Sequence, residues 1–205
     1  MSQIALPLNA GPTGPSRIVL GPANAHVAEA LAHPESWPFR TAVLTGPPRS
    51  GKSLFARWFV ENAKDTPREA VDNAQAMEEA ELFHRWNRAQ EQGTALLIVG
   101  GEPPWNIALP DLKSRLGAAL QLEIGRPDDT MAAELLHVLA EQRALPLGAE
   151  AADYLVPRAG RSYADLEKLV AAIDRISLER KAAATQSIWR AALESVHGPE
   201  EPRLL

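Results

Sequence analysis

The 205-residue chain contains no cysteine. That excludes disulfide staples and thiolate metal sites, and it fits a reducing compartment. Aromatic residues are scarce, at 5% of the chain. Trp37, Trp58, Trp86, Trp105 and Trp189 share no spacing, which suits packing inside the fold better than a base-stacking platform. Positive charge is not in excess: 21 Lys and Arg face 26 Asp and Glu, for a net charge of −5. Such a balance gives no general attraction to nucleic-acid phosphates, so direct sequence-specific DNA binding is not expected. His26, His33, His84, His137 and His197 lack metal-ligand spacing. Long hydrophobic runs are missing too. Apolar stretches such as Ala95–Val99 are far too short to span a bilayer. The N-terminus has no basic stretch leading into an apolar run, so no signal peptide is expected. These absences predict a cytoplasmic protein with no membrane association.

What is present is ordinary in bulk, with 45% apolar and 23% charged residues. The informative part is the order of the segments. Residues 1–16 are dense in Gly and Pro after Gln3-Ile4-Ala5-Leu6-Pro7-Leu8, and predict an extended tether. Ala25–His33 reads as a helix. Thr41–Thr45 is a short β-prone run, and Lys52–Ala63 has helical spacing at Leu54, Phe55, Trp58 and Phe59. Glu69–Asp72 suggests a short strand, and Ala76–Gln92 an amphipathic helix with Leu82, Phe83 and Trp86 on one face. Ala95–Val99 is continuous in apolar character, as a buried parallel strand is. A helix within Leu109–Leu120 and a final strand at Leu122–Ile124 follow. Beyond Gly125 the pattern is helical only, over Thr130–Arg143, Ala149–Ala159, Ser162–Glu179 and Thr185–Val196. Asp128 or Asp129 is the expected N-cap of the first of these, and Ser162 of the third. Strands alternating with helices, then helices alone, predict a parallel α/β domain followed by a small helical lid.

The chemistry sits at Gly46-Pro47-Pro48-Arg49-Ser50-Gly51-Lys52-Ser53. This is a P-loop in the required context, after a strand and before a helix. Its glycines let backbone N–H groups curl around phosphates, and the helix points its positive end at them. Lys52 is expected to reach the β- and γ-phosphates, and Ser53 to hold Mg²⁺ through its hydroxyl. Asp72, at the end of a neighbouring strand, is the candidate to orient that Mg²⁺. The next residue is Asn73, whose amide cannot accept a proton near neutral pH and is a poor general base. Weak intrinsic hydrolysis, or none, is expected.

Taken in order, further segments resemble the DnaA/Hda branch of the AAA+ family, most of all its Hda-type regulators of replication initiation. Gln3-Ile4-Ala5-Leu6-Pro7-Leu8 resembles the sliding-clamp-binding motif of that branch. Ile18-Val19-Leu20-Gly21-Pro22-Ala23-Asn24 is similar to the segment before its P-loop. Val71-Asp72-Asn73 resembles its Walker B end, Leu82–Arg88 the following helix, and Ile98–Pro104 the sensor 1 strand and turn. Leu109-Pro110-Asp111-Leu112-Lys113-Ser114-Arg115-Leu116 is the best match, and in the family its Ser-Arg pair carries the arginine finger.

The resemblance implies a three-part chain: a flexible clamp-binding segment at 1–16, an AAA+ nucleotide-binding α/β domain at 17–126 and a helical lid domain at 127–205. It implies ADP or ATP with Mg²⁺ on Gly46–Ser53 and Asp72. It also implies a sliding clamp, the β subunit of DNA polymerase III, on Gln3, Leu6 and Leu8. Arg115 would act in trans on ATP held by DnaA, so that initiation is negatively regulated; a homo-oligomer is a further possibility. The chain also departs from the family. The interval from Lys52 to Asp72 is short by one strand–helix unit, so a trimmed sheet is expected. Gly101 stands where sensor 1 commonly has an Asp. Ala164 stands where the sensor 2 arginine is expected, with Arg161 nearly one turn earlier as its substitute. No DNA-binding helix-turn-helix domain of the DnaA type is expected. Two other readings remain open: a self-contained small AAA+ ATPase or chaperone, and a non-catalytic nucleotide-binding scaffold.

Overall fold

The computed structural model describes residues 6–7, 17–63 and 66–197. They form two compact units, one spanning residues 22–125 and the other joining residues 17–21 to 126–197.

The first unit is built on a four-stranded, all-parallel sheet. Its strands are β3 (Thr41–Thr45), β4 (Arg68–Val71), β5 (Ala95–Val99) and β6 (Leu120–Glu123), in the order β4-β5-β3-β6. A two-residue pair, β1 (Leu6–Pro7) antiparallel to β2 (Arg17–Ile18), precedes them in the chain. Every residue of β5 is buried. Helices cover both faces of a parallel sheet, so its central strands carry unbroken apolar runs. Val43 pairs with Ile98 on one side and Gln121 on the other.

Helices α1 (Ala25–Ala32) and α2 (Lys52–Glu61) lie together, and α2 packs on β4 and β5. Trp37 stacks on Phe59 at 5.3 Å, and its indole N–H donates to Ala30 O at 2.9 Å. Helices α3 (Glu79–Gln92) and α4 (Pro110–Ala118) bury Leu82, Trp86, Ala89, Leu112 and Leu116 in one cluster with Leu96 and Ile98 of β5. Alternate residues of a strand face opposite sides, so Leu97 belongs to the face toward α2.

The trimmed sheet expected from the short interval is what the fold shows. Between Lys52 and Asp72 the described residues hold only α2 and β4, and β4 is an edge strand paired with β5 alone. The chain leaves β3 for β4, returns to β5 and then crosses β3 to reach β6. That reversal of direction makes a crevice at the carboxyl end of β3, the place where open parallel sheets bind ligands.

Three boundaries differ from the sequence expectation. Residues Ala74–Ala76 form a 3₁₀ turn, so α3 starts at Glu79 rather than Ala76. The last strand begins at Leu120 rather than Leu122, and the second helix of the C-terminal set is only Glu150–Leu155.

The second unit packs α5 (Asp129–Glu141), α6 (Glu150–Leu155), α7 (Tyr163–Arg180) and α8 (Gln186–His197) around Leu136, Leu155, Leu166, Leu169, Ile173 and Trp189. The N-cap of α5 is Asp128, whose carboxylate accepts from Met131 N at 2.8 Å. Ser162 caps α7, its hydroxyl accepting from Asp165 N at 3.1 Å and donating to the Asp165 carboxylate at 2.6 Å. Each such cap satisfies a helix N–H that has no partner within the helix.

Candidate functional site

The P-loop leaves the carboxyl end of β3 and runs into α2. Gly46 has φ +147, and a Cβ there would meet Ile124 O at 2.9 Å and Ile124 Cβ at 3.0 Å. Only glycine lets the loop turn this close to the end of β6. Gly51 lies in the left-handed region at φ +88, immediately before α2. Arg49 adopts φ +65 without being glycine, a strained conformation of the kind that collects at binding loops. Ser50 is buried, and its hydroxyl has no hydrogen-bond partner among the described residues. Pro47 is half-buried, while Pro48 and Arg49 are exposed.

Lys52 donates from Nζ to Gly46 O and Pro47 O, both at 2.7 Å. Its ammonium is thus held inside the loop by two backbone carbonyls. Burial pushes its pKa down, while the charges of Asp72 and Glu102 pull it back up. This places two carboxylates within electrostatic reach of the lysine. Asp72 follows β4 directly and lies exposed, with a carboxylate oxygen accepting from Asn73 N at 2.9 Å. Ser53 is exposed at the first turn of α2.

Glu102 was not among the residues the sequence singled out. It lies in a Gly-Gly-Glu-Pro-Pro turn, and nothing in that spacing says the turn faces the P-loop. The link is made by the backbone, since Gly46 N donates to Gly101 O at 3.3 Å and Gly100 N to Leu44 O at 2.9 Å.

The donor set fits a magnesium nucleotide. The loop offers glycine-permitted backbone curvature, a lysine, and a hydroxyl and a carboxylate on the two elements flanking it. Among the described residues no group of three or more His, Cys, Asp or Glu could hold a metal unaided. Ser53 and Asp72 are the side chains on hand that could hold a cation carried by phosphate oxygens.

Arg115 lies on α4, away from the loop in sequence but in the same unit. Its guanidinium stacks on Trp86 at 4.3 Å and on Phe83 at 4.9 Å, and it makes no ion pair among the described residues. Two contacts fix this arrangement. Trp86 is buried in the α3–α4 core. Glu79, in the first turn of α3, accepts from Ala108 N at 2.8 Å and Leu109 N at 2.6 Å, which ties down the entry into α4.

The remaining expected residues are placed elsewhere. Arg161 belongs to the helical unit, where it pairs with Asp129 at 3.3 Å and stays largely exposed. Gln3 and Leu8 lie outside the described residues, and Leu6 is described only as backbone in β1. Of the five tryptophans, Trp37, Trp86 and Trp189 are buried and the other two half-buried.

A parallel sheet with a P-loop at its switch point, an acidic turn after the neighbouring edge strand and a separate helical unit make up a fold shared with AAA+ domains of known structure. Domain III of the Thermotoga maritima replication initiation protein DnaA aligns with it at a TM-score of 0.71 and 14% identity, over 88% of this chain and 95% of that one. The AAA domain of FIGL-1 in complex with ADP aligns at 0.62 and 14% identity, over 89% and 84%. A relative in sequence is an uncharacterized protein of Haemophilus influenzae (strain ATCC 51907 / DSM 11121 / KW20 / Rd), 26% identical over 167 residues, 78% of this chain and 71% of that protein. No family model matches the chain. No helix among the described residues is long and apolar enough to cross a membrane.

Proposed function

We propose that this chain is a nucleotide-holding regulator of replication initiation. It grips ADP or ATP with Mg²⁺ on Gly46–Ser53 and Asp72, in the cytoplasm. It docks on the DNA polymerase III sliding clamp through Gln3, Leu6 and Leu8, and lends Arg115 to ATP bound by a DnaA partner. Hydrolysis of that ATP then switches the initiator off while synthesis is under way. In this reading the α/β unit is the nucleotide-binding domain, residues 127–205 are its lid, and Arg161 substitutes for the sensor 2 arginine, at whose position Ala164 stands.

The observation that carries the proposal is the state of Arg115. Among the described residues its guanidinium makes no ion pair. It is presented on aromatic faces, where attraction is modest and the charge stays available. A planar guanidinium so held is suited to stabilise charge developing on a phosphoryl group in trans. The likeness in fold to a DnaA domain supports a DnaA-type partner, since AAA+ domains of one kind can stack nucleotide site against finger. Asn73 and Gly101 support weak turnover by this chain alone.

The deciding experiment measures hydrolysis of DnaA-bound ATP with clamp loaded on DNA. Stimulation should need both the clamp and Arg115. Stimulation that persists in Arg115→Ala, or that ignores the clamp, would refute the adaptor reading. A second reading, a self-contained ATPase, is favoured by one observation only: Glu102 faces Lys52 electrostatically and is a carboxylate that could accept a proton. Brisk hydrolysis by the purified protein alone, lost in Glu102→Gln, would select it.

A further inference from the structure

Strand β2 belongs to the helical unit and is fixed there from several sides. Arg17 opens it, with its guanidinium 3.4 Å from Glu134 and 3.2 Å from Glu141. Those carboxylates stand two turns apart on one face of α5. Ile18 and Val19 are buried. A Cβ built at Gly21 would meet Met131 Sδ at 3.0 Å, so the backbone there runs close against the start of α5. Residues 17–21 are thus seated along that helix by ion pairs, by burial and by close approach.

The strand laid on this seat is β1, antiparallel, with Leu6 opposite Ile18 and Pro7 opposite Arg17. Both residues lie inside Gln3-Ile4-Ala5-Leu6-Pro7-Leu8. Neighbouring strands are about 4.8 Å apart, so one edge of this segment's backbone is closed by the chain's own β2. A groove that grips an extended peptide surrounds the same stretch. The two contacts therefore exclude each other. The pairing is also weak by construction. It is two residues long, and Pro7 brings no N–H to it. Closing the chain between the two strands costs entropy as well. Such a contact opens readily and gives way to a partner that buries Leu6 and Leu8.

We propose that β1 and β2 form a latch: the chain's own helical unit competes with the sliding clamp for Leu6–Pro7, and Arg17, pinned between Glu134 and Glu141, holds the latch in place. The clamp meets only those chains whose segment is free, and its apparent affinity is lowered by that fraction. The inference rests on the clamp-docking reading above and adds regulation to it. A residue outside the docking segment then controls docking.

The chain has no cysteine, so one engineered pair can lock the latch without competing thiols. The test is titration of the full chain with the sliding clamp. Three proteins are compared: unsubstituted, Arg17→Ala and the double variant Pro7→Cys/Arg17→Cys, whose positions face each other across the pair within disulfide reach. Oxidised glutathione closes the bond in the double variant and is itself reduced to two thiols; dithiothreitol reopens it. The oxidised form should bind the clamp about a hundredfold more weakly than the reduced form. Arg17→Ala should bind about threefold more tightly than the unsubstituted chain, because β2 is no longer pinned. Part-exposed ion pairs add little to folding, so Arg17→Ala should melt where the unsubstituted protein does. Failure of the pair to oxidise, equal binding by the oxidised and reduced forms, or no gain in Arg17→Ala would each overturn the latch and leave the docking segment standing. Absence of clamp binding by the unsubstituted and reduced chains alike would overturn the docking reading with it.

Discussion

The two units use their polar side chains in opposite ways. In the helical unit, polar groups complete the structure. Asp128 and Ser162 satisfy helix N-termini, Arg17 pairs with Glu134 and Glu141, and the Tyr163 hydroxyl is buried against Met131 Sδ at 4.0 Å. In the α/β unit, Asp72 and Glu102 sit in turns after strands and Lys52 and Arg115 on helices, all of them half-buried or exposed. The first set answers to internal partners, so its loss should register as stability. The second set faces outward, so its loss should register as binding or rate.

Substitution can break that contrast, and the largest effect is expected at Arg115. Arg115→Ala should lower the stimulated rate of partner ATP hydrolysis by about a thousandfold or more. Its stability cost should stay near ~1 kcal/mol for the lost aromatic contacts. A melting shift without a rate loss would move Arg115 into the structural set. Next comes Lys52→Ala, which removes charge-assisted bonds to phosphate and should weaken nucleotide binding about a hundredfold by titration. Because burial holds the Lys52 pKa below the usual lysine range, the unsubstituted affinity should also decline with alkali before a free lysine titrates.

Tyr163 sharpens the other side of the contrast. Burial, helped by the Asp128 charge, pushes its pKa up to about 12. A folded-state pKa above the unfolded value means the folded unit binds the proton more tightly. The contribution is whole below pH ~10 and is lost as pH rises towards ~12, about 2 kcal/mol in all. Urea unfolding across that window should show the decline, and Tyr163→Phe should remove most of it. The smallest effect is expected at Arg161. Its exposed pair with Asp129 contributes little to stability. Arg161→Ala should leave unfolding unchanged and weaken Mg-AMPPCP binding about fivefold, the effect of one solvent-screened charge. An unchanged affinity would place Arg161 with the surface of its own unit.

Much of the fold is legible in the sequence because burial on both faces forces a continuous apolar run, as in Ala95–Val99. The P-loop is legible because its glycines, lysine and serine are needed at fixed offsets. Asp128 and Asp129 could not be separated by pattern, since either residue type caps a helix, and only the bond to Met131 N decides between them. The start of α3 was misplaced because Asn73 turns left-handed and Ala74–Ala76 closes a separate 3₁₀ turn. Glu102 is not legible for a deeper reason. It acquires its place only when two loops distant in sequence meet at the carboxyl ends of β3 and β5. The seat of Arg115 is intermediate: Phe83 and Trp86 were visible on one face of a helix, but not the helix that lies against them.

The shortened interval after the P-loop leaves β4 at the border of the sheet with one row of backbone groups unpaired. Such a border invites aggregation by strand addition from a second molecule. Here it is only four residues long and carries charge on both faces. Arg68 lies over the Phe59 ring at 5.0 Å, and Glu69 is flanked by Arg85 at 3.4 Å and Arg88 at 3.7 Å. These side chains act as gatekeepers against self-association. A short, electrically guarded margin of this kind disfavours strand addition from a second molecule.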